Sequence, residues 1–96
     1  MHSKKEIEKK LAKAIEYLKT LGCKEIILFG SLTDGTFNEY SDIDLAVSGI
    51  APRNYFKAVA VLPSIIDFRV DIVALDYVSS DFAKRIRERG EKTFAA

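Results

Sequence analysis

Apolar residues recur at intervals of three and four positions from Ser3 to Leu21, with lysines and glutamates between them. This spacing predicts an amphipathic helix. Gly22 is suited to follow its end, because glycine adopts the left-handed backbone conformation without a Cβ clash. The next apolar run, Glu25 to Phe29, is short and predicts a buried strand.

A second strand and a second long helix are predicted in the middle of the chain. Residues 30–40 are rich in Gly, Ser, Thr, Asp and Asn, so they predict a loop with one helical turn. Residues 42–47 alternate polar and apolar and then become apolar, as a half-buried strand does. Residues 54–65 predict a helix whose final turn is weakened by Pro63. The apolar stripe expected on that helix consists of Tyr55, Phe56, Val59, Ala60 and Leu62.

The last third of the chain adds another strand and another helix. Residues 68–75 are apolar and β-branched apart from two charged positions, and they predict a strand. Ser79 and Ser80 are suited to cap a final helix that carries Phe82 and Ile86. The order αβ(α)βαβα predicts an α/β (α+β) sheet of at least three strands flanked by helices. With 96 residues, positions 1–96 are expected to form one domain.

Composition and charge exclude several classes of protein. The formal net charge is +1, from 15 basic and 14 acidic residues, so no overall field indicates nucleic acid or an anionic membrane as a ligand. Cys23 is the only cysteine, which excludes an intramolecular disulfide. No apolar run approaches the roughly 20 residues that span a bilayer, and an apolar signal segment is lacking. We expect a soluble cytoplasmic protein, and we assign no catalytic role to the near-terminal His2.

Two aspartates lie at the start of the second predicted strand. Residues i and i+2 of a strand share a face, so Asp42 and Asp44 are expected side by side, with Ile43 turned into the core. Two close carboxylates repel one another, and a cation relieves that repulsion. Mg²⁺ takes one or two carboxylates together with substrate phosphates. The pair therefore predicts a magnesium and nucleoside triphosphate site.

Asp71 is the third candidate ligand, since an acid inside an apolar strand is costly unless it is paired, ligated or directed into a cleft. Three acids around one or two ions match the arrangement used for in-line phosphoryl displacement, with Asp71 nearest the attacking hydroxyl. Gly30 would let the backbone approach a phosphate closely. Ser31 and the neighbouring N–H groups would bind the β and γ phosphates.

Simpler interpretations compete with this one. Acids at a strand edge are often only solvated, and Gly-Ser after a strand is often only a turn. Asp67 and Asp76 compete with Asp71, but both lie at boundaries of the predicted strand. A P-loop is excluded because Thr36 and Phe37 stand where that loop needs Lys and Ser or Thr. A calcium loop is excluded because the chain continues as a strand after Asp44.

Four segments together resemble the minimal nucleotidyltransferases of the DNA polymerase β superfamily. They are Leu28-Phe29-Gly30-Ser31, Gly35, Ser41-Asp42-Ile43-Asp44-Leu45-Ala46-Val47 and Val70-Asp71-Ile72-Val73. In that family the glycine and serine bind triphosphate, the paired acids hold metal, and the third acid helps to activate the acceptor hydroxyl. The resemblance implies these roles for Gly30, Ser31, Asp42, Asp44 and Asp71.

The resemblance also implies a partner. Prokaryotic members of this minimal class are often antitoxins paired with a small helical HEPN toxin, and some of them transfer AMP to a tyrosine of that toxin. The expected activity is thus transfer of AMP from ATP to a hydroxyl of a helical partner.

The alternative is an inert domain that neutralises its partner by binding. One departure favours this alternative: Asp34 precedes Gly35, where the family usually has an arginine. Self-association and hetero-oligomer formation both remain open.

Overall fold

Helices and strands alternate through residues 4–96, which are the residues that the computed structural model describes. The elements are α1 (Lys4–Thr20), β1 (Glu25–Phe29), α2 (Ser31–Asp34), β2 (Ile43–Ser48), α3 (Pro52–Ile66), β3 (Val70–Ala74), a 3-10 turn (Leu75–Tyr77), α4 (Ser80–Arg89) and β4 (Glu91–Ala95). The interpretation of His2, and the predicted helix start at Ser3, fall outside the described residues. Within those residues, no helix is long and apolar enough to cross a bilayer.

The four strands form one mixed sheet in the order β3-β2-β1-β4. β1 is antiparallel to both β2 and β4, whereas β2 and β3 run parallel and are joined through α3. A parallel pair needs such a crossover, because a tight hairpin can join only antiparallel strands. The α+β class and the minimum of three strands are confirmed. β4 was not predicted, because it is short and opens with the exposed, charged pair Glu91 and Lys92.

The two faces of the sheet pack against different helices. One face lies against α1 and α3 and holds the larger core, which includes Ile43, Leu45 and Ile72. The other face contributes Ile27 and Ala46 to a smaller core with α4. Successive side chains of a strand point to opposite faces. Residues 44 and 71 therefore belong to the face that α4 covers.

The predicted apolar stripe of α3 was wrong in composition. Phe56 is 67% exposed and Val59 is 44% exposed, so both lie on the solvent side of the helix. The stripe joined residues from two sides of the helix and omitted Ala58, a small residue that is fully buried in the larger core. The buried positions of α3 recur every four residues and are Ala58, Leu62 and Ile66.

We predict that Leu62→Ala lowers the free energy of unfolding by about 2 to 5 kcal/mol, because it opens a cavity at a side chain with no exposed surface. The matched control on the same helix is Val59→Ala, which is expected to change stability by about 0.5 kcal/mol or less. Urea denaturation of both variants measures the difference. Equal losses for the two would contradict the packing described for α3.

Candidate active site

Three aspartates meet at the end of the sheet where β2 and β3 begin. The parallel register sets Asp44 directly opposite Asp71, on strands about 4.8 Å apart. Asp42 was predicted to begin the strand, but it lies immediately before the observed β2, and its side chain is exposed. Ile43 is fully buried, as expected. Asp42, Asp44 and Asp71 thus form one acid cluster on the α4 side of the sheet.

The acid cluster is electrostatically unfavourable when all three groups are ionised. Burial raises the pKa of the Asp44 carboxyl above its ordinary value, and the negative charges of Asp71 and Asp42 raise it further. A nearby cation would lower that pKa again, because it favours the ionised form. The cluster therefore has the electrostatic character of a cation site.

Gly30 lies against the acid cluster at a position where a side chain would not fit. A Cβ atom built on Gly30 would lie 2.2 Å from Oδ2 of Asp44, and the residue has a φ of +78°, which other residues rarely adopt. The Asp44 carboxylate therefore occupies the space that only glycine leaves free. Ser31 follows as the half-buried first residue of α2, and Thr33 Oγ1 donates to the Gly30 carbonyl at 2.8 Å.

Arg69 holds the segment that leads into β2, a role that was not predicted from the sequence. Its Nε donates to Oδ1 of Asp42 at 3.0 Å. The same guanidinium donates to the carbonyls of Glu39 at 2.7 Å and Ser41 at 3.0 Å. Arg69 stands two residues before Asp71, and residues with this spacing share a face of a strand. This spacing could have predicted that Arg69 lies beside the acids. Arg69 therefore orients the Asp42 carboxylate and holds the backbone of the segment that precedes it.

The donor set of the cluster suits a hard divalent cation. Among residues 4–96, no three His, Cys, Asp or Glu side chains are already gathered into a metal-binding geometry, and Asp42 is engaged by Arg69. Mg²⁺ does not require such a closed cage, because it retains waters and combines one or two carboxylates with substrate phosphates. The pair Asp44 and Asp71 supplies two carboxylates, and Asp42 retains a second oxygen. The residues present fit Mg²⁺.

Asp34 has a local role at the end of α2. Its Oδ1 accepts hydrogen bonds from the backbone N–H of Thr36 at 3.0 Å and from the Thr36 hydroxyl at 2.5 Å. These bonds hold the pKa of the Asp34 carboxyl below its ordinary value. The geometry is that of an aspartate-stabilised turn. Asp34 therefore stabilises the turn that follows α2, at the position where the family usually has an arginine.

The two rival acids have structural partners of their own. Asp67 ends α3 in the left-handed conformation and pairs with Lys10 at 3.5 Å. Asp76 accepts the backbone N–H of Gly49 at 2.8 Å. Each holds a boundary of an element, which accords with the positions expected for them.

Comparison with known proteins identifies the family. The family model described as "Nucleotidyltransferase domain" matches residues 8–93. The chain belongs to this family. The resemblance drawn from Gly30-Ser31 and the spaced aspartates is confirmed at this level. None of the curated proteins matches this nucleotidyltransferase domain.

Several solved structures share the fold of this nucleotidyltransferase domain. A toxin–antitoxin complex with AMP-PNP is 28% identical, with a TM-score of 0.76 over 93% of this chain and 73% of that chain. A mutant of the toxin–antitoxin complex MntA-HpeT is 26% identical, with a TM-score of 0.76 over 88% and 73%. A tri-AMPylated Shewanella oneidensis HEPN toxin in complex with its MNT antitoxin gives 25% identity and a TM-score of 0.71 over 94% and 73%.

We predict that Gly30→Ala destabilises this nucleotidyltransferase domain more than Gly35→Ala does. Both glycines have positive φ, so both substitutions incur backbone strain of about 1 to 3 kcal/mol. Only the Cβ at position 30 also collides with Asp44, because nothing lies within 4 Å of a Cβ built at position 35. Thermal unfolding of the two variants measures the difference. A melting temperature that falls equally in both would show that the Asp44 carboxylate does not depend on Gly30.

Proposed function

We propose that this nucleotidyltransferase domain transfers AMP from ATP to a hydroxyl of a helical, HEPN-type partner protein, with Mg²⁺ as cofactor. The observation that carries the proposal is the register of β2 and β3, which sets Asp44 opposite Asp71 beside Asp42. The raised pKa of Asp44 adds support, because burial and the neighbouring acids disfavour its ionised form, and a cation would favour that form. Complexes of similar proteins with AMP-PNP and with an AMPylated HEPN toxin support the choice of nucleotide and partner.

The proposed reaction is an in-line displacement at the α-phosphorus of ATP. The acceptor oxygen forms a bond to that phosphorus, and the bond from phosphorus to the oxygen that bridges to the β-phosphorus breaks. Pyrophosphate leaves with the bonding electron pair, and the hydroxyl proton passes to a carboxylate. When bound, Mg²⁺ supplies positive charge for the phosphate oxygens as charge develops on them.

The residues divide this work by position. Asp42, Asp44 and Asp71 would hold the cation, and Arg69 keeps Asp42 oriented through the ion pair at 3.0 Å. Asp71 lies exposed on the edge strand β3, where a side chain from another protein can reach it. Asp71 therefore also accepts the proton of the incoming hydroxyl. Gly30 and Ser31 bind the triphosphate at the start of α2.

The second candidate function is neutralisation of the partner by binding alone. Pro52, Tyr55, Phe56 and Tyr77 line part of an apolar groove of about 520 Å³ beside β3. Phe56 and Tyr77 are 67% and 69% exposed, which is unusual for aromatic side chains in water. Such a surface suits an amphipathic helix. Binding through this groove would proceed with or without the chemistry at the acid cluster.

We predict that Asp42→Asn, Asp44→Asn and Asp71→Asn each lower transfer by at least 100-fold, because each removes a carboxylate from the acid cluster. The assay uses radiolabelled ATP, Mg²⁺ and the helical protein that co-purifies with the chain from its native host. Asp76→Asn is the control, since Asp76 caps Gly49 outside the cluster, and it should retain transfer. Tight binding to the partner without any label transfer would favour the binding module instead.

We also predict that ligands reverse the effect of Asp44→Asn on melting. The raised pKa means that the folded state binds a proton more tightly than the unfolded state, so ionised Asp44 lowers stability as pH rises through the pKa. Near neutral pH without ligands, Asp44→Asn should therefore melt at the same temperature as the wild type or higher. With Mg²⁺ and ATP at about a hundred times the dissociation constant, only the wild type should gain roughly 2.7 kcal/mol.

Thermal unfolding at several concentrations of Mg²⁺ and ATP measures this gain, which corresponds to roughly 10 to 20 °C for a domain of this size. Asp42→Asn is a less clean probe without ligands, because it also removes the exposed ion pair with Arg69. If wild type and Asp44→Asn melt together under every condition, the cluster does not bind the nucleotide and metal.

A further inference from the structure

An open groove separates the loop after β1 from helix α4, on the same side of the sheet as the acid cluster. Its volume is about 350 Å³. Helix α4 lines it with residues spaced at three and four positions, which share one helical face. The lining residues that matter here are Gly30 and Asp34, at the two ends of α2, and Phe82, Arg85, Ile86 and Arg89 of α4.

Arg85 and Arg89 are free to bind an anion. Within residues 4–96, neither has an ion pair or a hydrogen-bonded side-chain partner. By contrast, Arg87 on another side of the same helix pairs with Glu25 at 3.1 Å, and Lys84 lies near Glu88 at 3.9 Å. Two unpaired guanidinium groups one helical turn apart suit phosphate oxygens, because each presents a planar fork of N–H donors.

The groove and the acid cluster meet at Gly30. This residue lines the groove and also borders the carboxylate of Asp44. A triphosphate whose α-phosphate lies at the acid cluster can therefore reach the mouth of the groove with its β and γ phosphates. The charged side chains lining the groove are Asp34, Arg85 and Arg89, which leaves an excess of one positive charge.

We propose that this groove is the binding site for the β and γ phosphates and for the pyrophosphate product, with Arg85 and Arg89 as the cationic ligands. The inference rests on the proposed function. It explains how the chain tolerates Asp34 in the loop, because the cationic charge comes from α4 instead. The apolar side chains of Phe82 and Ile86 beside the arginines limit water, which strengthens the attraction between guanidinium and phosphate.

The test measures binding of ATP, inorganic tripolyphosphate and AMP by calorimetry in the presence of Mg²⁺. Arg85→Gln and Arg89→Gln should each weaken ATP and tripolyphosphate binding about tenfold, equal to about 1.4 kcal/mol. Binding of AMP should change by less than about twofold, because AMP lacks the terminal phosphates. Asp34→Asn should tighten triphosphate binding by roughly two- to fivefold, since it removes a like charge.

Arg87→Gln is the matched control, because it removes the same charge from the same helix on a side that faces Glu25. Circular dichroism checks that every variant is folded. The inference is overturned if the double variant Arg85→Gln/Arg89→Gln binds tripolyphosphate as Arg87→Gln does, or if the wild type binds neither ATP nor tripolyphosphate. Transfer activity is scored separately: binding that depends on the arginines without transfer would reject the reaction and keep the groove. Transfer activity together with triphosphate binding that does not depend on the arginines would keep the proposed reaction and reject the groove as the phosphate site.

Discussion

The parallel pairing of β2 with β3 positions the acids. Side chains of a strand alternate between faces, so a slip of one residue would move Asp71 to the opposite side of the sheet from Asp44. The apolar residues of the two strands prevent that slip, because Ile43, Leu45 and Ile72 must all face α1 and α3. The requirement that fills the larger core therefore also brings two carboxylates together. The crossover through α3 makes this parallel pairing possible.

The close carboxylates come at a cost in folded stability, which the rest of the fold offsets. Burial and the neighbouring acids raise the pKa of Asp44, so its ionised form is less favourable in the folded chain than in the unfolded chain. Gly30 makes room for the same carboxylate, and a glycine loses more conformational freedom on folding than other residues do. Functional sites commonly concentrate such unfavourable features. Fully buried side chains such as Leu18 and Leu62 lie in the core, where burial supplies the offsetting stability.

The sequence predicted those features that depend on local periodicity. β1 was predicted with its observed bounds, and Ile43 is buried as the two-residue period of a strand requires. Two features of the fold were not predicted from the sequence, for different reasons. The buried face of α3 includes Ala58, a small side chain whose burial follows from how α3 packs in the larger core and not from its own hydrophobicity. β4 is an edge strand whose pairing with β1 includes a register shift, and no local pattern encodes such a pairing.

The site itself was predictable only in part, because several of its contacts cross long stretches of sequence. Arg69 lies 27 residues from the aspartate that it orients. Arg85 and Arg89 share a helical face with Ile86, which packs against the sheet and so fixes where that face lies. From the sequence alone, Asp34 in place of an arginine indicates too little positive charge near the phosphates. The packing of α4 against β1 places two arginines on the side of the groove opposite Asp34. In a chain of 96 residues, one helix thus completes the smaller core and provides the cationic wall of the groove.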